Sequence, residues 1–171
     1  GCLRPRPAGA DPSGELGQTR SLPLGENFLQ NTDGQVQVRK VFSLSAQQAA
    51  RPGARLKLGR INDVDKTWVN GVLVGETGPD VQGAAGRQRD YPVPEGILKE
   101  GENVIVVQMI DLNRSASLGS GIQYPKLDWA DGEHVALVEN WRMKLIQDLG
   151  PRPQSLDRTA RKSATFLYNG M

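Results

Sequence analysis

The sequence predicts an all-β fold, an antiparallel β-sandwich, on three observations. Six or more short apolar runs alternate with Gly- and Pro-rich loops, and no long amphipathic helical pattern interrupts them. Thr67-Trp68-Val69 and Val72-Leu73-Val74 flank Asn70-Gly71, a dipeptide that supplies the positive φ angles of a two-residue hairpin turn. The composition agrees, with 20 Gly and 11 Pro among 171 residues, 37% of them hydrophobic and 23% charged.

Residues 1–34 are rich in Pro, Gly and small polar residues and read as an irregular lead-in, anchored on the core by Leu22, Leu24, Phe28 and Leu29. The sandwich domain is expected over 35–149. Val36, Val38, Phe42 and Leu44 alternate with Gln35, Gln37, Arg39 and Ser43, so this strand has one wet face, with Lys40 as the exception. Residues 47–53 form a turn, and Leu56 and Leu58 point inward from the next strand. After the Asn70-Gly71 hairpin, residues 75–90 have no periodicity and read as a long loop. Pro94 to Asn103 reads as one helical turn that ends at Gly101. Val104 to Ile110 is apolar on both faces apart from Gln108, the mark of a central strand covered on each side. Residues 111–133 read as loop, and His134–Glu139 with Trp141–Ile146 as a further pair of strands. Residues 150–164 are a basic, Pro-containing linker that leads to the apolar segment 165–171.

Charge and residue counts remove several classes of function. Lys plus Arg is 21 and Asp plus Glu is 19, a net charge of +2, which provides no footprint for nucleic acid. No run approaches the ~20 apolar residues of a membrane-spanning helix. A single cysteine, Cys2, excludes an intrachain disulfide, and a single histidine, His134, leaves little for His-based catalysis or a metal centre. No cofactor is expected. The opening pair Gly1-Cys2 could be the remnant of a bacterial lipoprotein cleavage site, but two residues do not decide that origin.

Four groups of residues carry potential chemistry. Asp63 and Asp65 precede a hairpin strand. Carboxylates there could hold calcium or a sugar hydroxyl, but a calcium site needs six or more oxygens and no loop signature supplies them. They are expected to cap the turn through backbone N–H groups. Trp68 and Trp141 lie on alternating strands and are expected in the core, whereas Trp129, in a loop, is expected on the surface as a candidate substrate contact. Tyr91 closes its loop onto the sandwich. Ser115, Ser117 and Ser120 lack a base, and His134 is read as a half-buried strand residue.

Residues 58–75 (LGRINDVDKTWVNGVLVG) and 91–107 (YPVPEGILKEGENVIVV) resemble the galactose-binding-like jelly roll of sialate O-acetylesterase-type SGNH hydrolases. The same order of motifs, Asp63-Val64-Asp65, Val69-Asn70-Gly71, Val74-Gly75, Val93-Pro94 and Gly101-Glu102-Asn103, also occurs in the sugar-binding domains of β-galactosidases and β-glucuronidases. The ending favours the esterase family, in which a tryptophan stretch, a Pro-rich linker and a segment resembling LYNGM follow the jelly roll. Here these are Asn140–Lys144, residues 150–155 and Leu167–Met171. The resemblance implies a jelly roll that supports the substrate cleft of a neighbouring SGNH hydrolase domain acting on acetylated carbohydrate. It places Asn169 beside that cleft as a second candidate substrate contact, with residues 165–171 as the start of the hydrolase domain or a docking segment for it. It also implies a secreted, periplasmic or cell-surface protein. The family's serine motif and its Asp-x-x-His block are absent from this sequence, so no catalytic residue is assigned. An autonomous carbohydrate-binding module is the alternative.

Overall fold

The computed structural model describes residues 20–22, 24–26, 29–30, 33–111, 115–120 and 125–150. Twelve strands occur among them: β1 (Arg20–Ser21), β2 (Leu29–Gln30), β3 (Asp33–Leu44), β4 (Arg55–Asn62), β5 (Val64–Val69), β6 (Val72–Thr77), β7 (Gln88–Pro92), β8 (Gly101–Asp111), β9 (Ser115–Ser120), β10 (Lys126–Asp128), β11 (His134–Ala136) and β12 (Arg142–Gly150). One short helix, α1, spans Ala46–Ala50. The strands form two six-stranded sheets, one ordered β1-β12-β3-β8-β5-β6 and the other β11-β10-β4-β9-β2 with β7 also on β4. Every strand pairing is antiparallel. The chain passes repeatedly from one sheet to the other, which makes the fold a β-sandwich of the expected kind.

The core follows from strand alternation. Val36, Val38, Phe42 and Leu44 of β3 and Ile105, Val107 and Met109 of β8 meet Leu56, Leu58 and Ile61 of β4 between the sheets. β8 lies between β3 and β5 at the centre of its sheet, as its two apolar faces require. Lys40 shares the core parity of β3, and its ammonium escapes at the rim by donating to the Glu139 carbonyl. Burial lowers the pKa of that ammonium, and the Glu139 carboxylate opposes the shift.

The hairpin has the expected turn, with φ of 47° at Asn70 and 80° at Gly71. A Cβ on Gly71 would meet nothing within 4 Å, so a substitution there is opposed by backbone strain alone. Gly71→Val is therefore expected to cost about 1–2 kcal/mol in chemical denaturation, the cost of forcing a β-branched residue into a left-handed conformation.

Several expectations need correction. Residues 47–53 are not only a turn: Ser45 caps α1 by accepting from the Gln48 N–H at 3.1 Å while the Gln48 side chain accepts from the Ser45 N–H at 2.9 Å. The helical turn expected over Pro94–Asn103 is absent, because Asn103 binds the backbone of Lys99 and Gly101 and fixes an irregular loop. Residues 75–90 contain the end of β6, a 3-10 turn at Ala84–Gly86 and the start of β7. Residues 111–133 hold β9 and β10. β11 and β12 are strands but not partners; they lie in different sheets. The outward face of β3 is not wet at Gln35 and Gln37, which are both buried. The lead-in contributes β1, β2 and the core residue Leu22, with Leu24 packed against it; the Phe28 and Leu29 side chains lie outside the described residues.

Candidate functional site

The densest cluster of charged and polar groups lies inside the sandwich, around Asp65. This residue sits in β5 with both its carboxylate and the Arg89 side chain fully buried. Arg89 Nε donates to Asp65 Oδ1 at 2.7 Å. Thr67 Oγ1 donates to Oδ2 at 3.0 Å, and Tyr91 Oη donates to the same oxygen at 2.8 Å. Because the Tyr91 hydrogen is committed to Asp65, Thr77 donates to Tyr91 across 2.9 Å. The remaining guanidinium nitrogens bind the backbone carbonyls of Asp63, at 2.8 Å, Arg87, at 2.8 Å, and Ala84. Burial pushes the Asp65 carboxyl up against the opposing pull of Arg89, and burial beside Asp65 pushes the Tyr91 phenol up.

The cluster is closed. The described acceptors and donors are spent on one another, and the result ties β5, β6 and β7 to the segment before β7. Asp65 does not cap a turn, as the sequence suggested; it is the buried counter-ion of Arg89. Asp63 is buried too, and its carbonyl is one of the Arg89 acceptors. The burial of Arg89 is not legible in the sequence, since an arginine in an apparent loop ordinarily points to solvent.

A second polar network joins the two asparagines of the resembling motifs. Asn70 Nδ2 donates to Asn103 Oδ1 at 2.8 Å and to the Ile97 carbonyl at 2.8 Å, and Asn70 Oδ1 accepts from the Val104 N–H at 2.9 Å. Asn103 is completely buried. Gly75 faces the Tyr91 ring so closely that a Cβ there would lie 2.2 Å from Tyr91 Cδ1. Asp65, Asn70, Gly71, Gly75, Tyr91 and Asn103, drawn from nearly every matching motif, therefore build the fold.

The other candidates are scattered. Trp129 is only 3% exposed and belongs to the core, contrary to its expected surface position. Its loop folds back as the Trp129 N–H donates to the Glu133 carbonyl and the Gly132 N–H donates to the Trp129 carbonyl, and Arg51 lies over its ring at 5.9 Å from the centroid while pairing with Asp131. Trp141 is buried, and its indole N–H donates to the Leu137 carbonyl; Trp68 is half-buried. His134 is exposed, not half-buried. Ser115 and Ser117 lie on β9, as does Ser120, in a strand and not in a solvated turn. Asn169 and the segment 165–171 lie outside the described residues. Among the described residues no group of three or more His, Cys, Asp or Glu side chains could hold a metal ion, and no helix is long and apolar enough to cross a membrane.

Residues 32–115, just under half of the chain, match the family described as the beta-galactosidase second all-beta domain. That segment is similar to an all-β domain of the beta-galactosidase type. Among solved structures, the chain is similar to the β-glucuronidase of Ruminococcus gnavus, at 16% identity and a TM-score of 0.50, over 78% of this chain and 25% of that one. The same enzyme in complex with D-glucuronic acid matches at 16% identity and a TM-score of 0.50, over 80% and 27%. The native α-L-rhamnosidase of Aspergillus terreus matches at 20% identity and a TM-score of 0.46, over 70% and 15%. The chain thus spans about a quarter of the length of the glucuronidase chains, and the likeness is one of fold. No curated protein matches.

Proposed function

We propose that the chain is a non-catalytic β-sandwich of a multidomain carbohydrate-active hydrolase, and that its catalytic neighbour is an SGNH-type O-acetylesterase domain. One observation carries the first part. The residues that make the sequence recognisable are consumed by the Asp65–Arg89–Tyr91 and Asn70–Asn103 networks, and no nucleophile–base pair exists among the described residues. Ser115, Ser117 and Ser120 lie on β9, whereas His134 stands on β11 at the far end of the same sheet.

The esterase assignment is supported by the order Asn140–Lys144, residues 150–155, Leu167–Met171, which resembles the return into an SGNH domain. On this reading Asn169 contacts the acetylated sugar from the hydrolase side, and the protein works outside the cytoplasm. The match of residues 32–115 supports a second reading, in which the neighbour is a glycosidase. The two differ in the bond that is cut. The full-length protein is expected to release acetate from O-acetylated sialosides and to leave 4-nitrophenyl β-D-galactoside and β-D-glucuronide intact. Glycoside cleavage without acetate release would transfer the sandwich to a glycosidase.

A further inference from the structure

Asn70 precedes Gly71, and that pair carries a covalent chemistry of its own. The backbone nitrogen of Gly71, once its proton is lost to water, can attack the side-chain carbonyl carbon of Asn70. A bond forms between Cγ and that nitrogen, and ammonia leaves as the bond from Cγ to Nδ2 breaks. Water then opens the succinimide ring at either carbonyl, leaving aspartate or isoaspartate at position 70. Nothing is oxidised or reduced, and the missing side chain of Gly71 leaves the attack unhindered. Gly71 is exposed, so water reaches its peptide nitrogen.

The fold commits the Asn70 amide elsewhere. Both hydrogens of Nδ2 are used, on the Ile97 carbonyl and on Asn103 Oδ1, each at 2.8 Å. Asn70 Oδ1 accepts from the Val104 N–H at 2.9 Å, and the Asn70 N–H donates to the Val104 carbonyl at 2.9 Å. Turning Cγ onto the Gly71 nitrogen surrenders the three side-chain bonds.

The product does not fit the same place. A carboxylate at position 70 has no hydrogen for the Ile97 carbonyl or for Asn103 Oδ1, so it meets two acceptors without a donor. Asn103 cannot answer by turning its amide over. Its Oδ1 also accepts from the Lys99 N–H at 3.0 Å, and its Nδ2 donates to the Lys99 and Gly101 carbonyls at 2.8 and 3.0 Å. An isoaspartyl link does further damage, because its extra backbone carbon spoils the two-residue turn.

We infer that Asn70 is a site of spontaneous deamidation whose rate is set by opening of the hairpin tip from β8 and the loop before it, and that the modified tip does not close again. The Asn70–Asn103 pair thus acts as a one-way timer on the age of the domain. The inference does not depend on which bond the neighbouring catalytic domain cuts.

Ageing of the 171-residue chain in mildly alkaline buffer, read by peptide mass spectrometry, tests it. Unfolded in urea, Asn70 should deamidate as fast as Asn169, which also precedes a glycine, Gly170. In the folded chain Asn70 should react about tenfold more slowly than in urea, or slower still, since its side-chain bonds must first open. Urea below the unfolding transition should already raise the rate, because the opening is local. Asn70→Asp, which installs the product, should lower the melting temperature by about 5 °C or more. Equal rates for Asn70 in the folded and the urea-unfolded chain would overturn the inference. So would a rate that stays flat until the whole domain unfolds, or an Asn70→Asp variant as stable as the wild type.

Discussion

Arg89→Ala lowers the stability of the domain by about 3–5 kcal/mol, because it leaves the Asp65 carboxylate buried with no counter-ion. The guanidinium also serves three backbone carbonyls, at Asp63, Ala84 and Arg87, which lose their donors at the same time. Arg89→Lys recovers little of this, since a single ammonium cannot reach acceptors on so many sides. Removing both charges as Asp65→Asn with Arg89→Met should cost less than Arg89→Ala alone, because no unpaired ion remains. Urea denaturation with an unchanged m-value reads the difference directly. A loss under about 1 kcal/mol for Arg89→Ala would mean that water reaches Asp65.

The second large effect is steric. Gly75→Ala places a Cβ 2.2 Å from the Tyr91 ring, and the ring cannot swing aside because its hydroxyl is held by both Asp65 and Thr77. Overpacking of this kind costs about 1–3 kcal/mol. Gly78→Ala is the control: its Cβ would meet nothing within 4 Å, and its stability should stay within about 0.5 kcal/mol of the wild type. Thermal melts of the two variants side by side separate the crowding at Gly75 from any general effect of replacing glycine.

The parts of this fold that were legible in the sequence are those in which local pattern and tertiary position agree. Asn70-Gly71 had to be a tight turn, and Val104–Ile110 had to be central, because no other environment suits those residues. The strands β7, β9 and β10 were not legible. They are short, and β9 and β10 are Ser- and Gly-rich or charged; their strand character comes from pairing with β4 and not from propensity. Trp129 was misplaced for a related reason: the bends around it read as surface loop, yet their backbone bonds turn the indole inward. Polar burial was the least legible feature. Gln35, Gln37, Asp65 and Arg89 look like solvated residues until their cross-strand partners are known, and those partners lie more than twenty residues away in sequence for the Asp65–Arg89 pair. The motif asparagines illustrate the opposite case. Asn70 and Asn103 stand out in the sequence as part of a pattern, and their mutual hydrogen bond is what that pattern builds in the fold.

The proposed function requires the sandwich to be without catalytic chemistry of its own. The most direct measurement is hydrolysis of 4-nitrophenyl acetate by the purified 171-residue chain, run beside labelling with a serine-reactive fluorophosphonate. The expected result is hydrolysis no faster than a heat-denatured sample and no labelled serine. Turnover above that control, with the label on Ser115, Ser117 or Ser120, would contradict it.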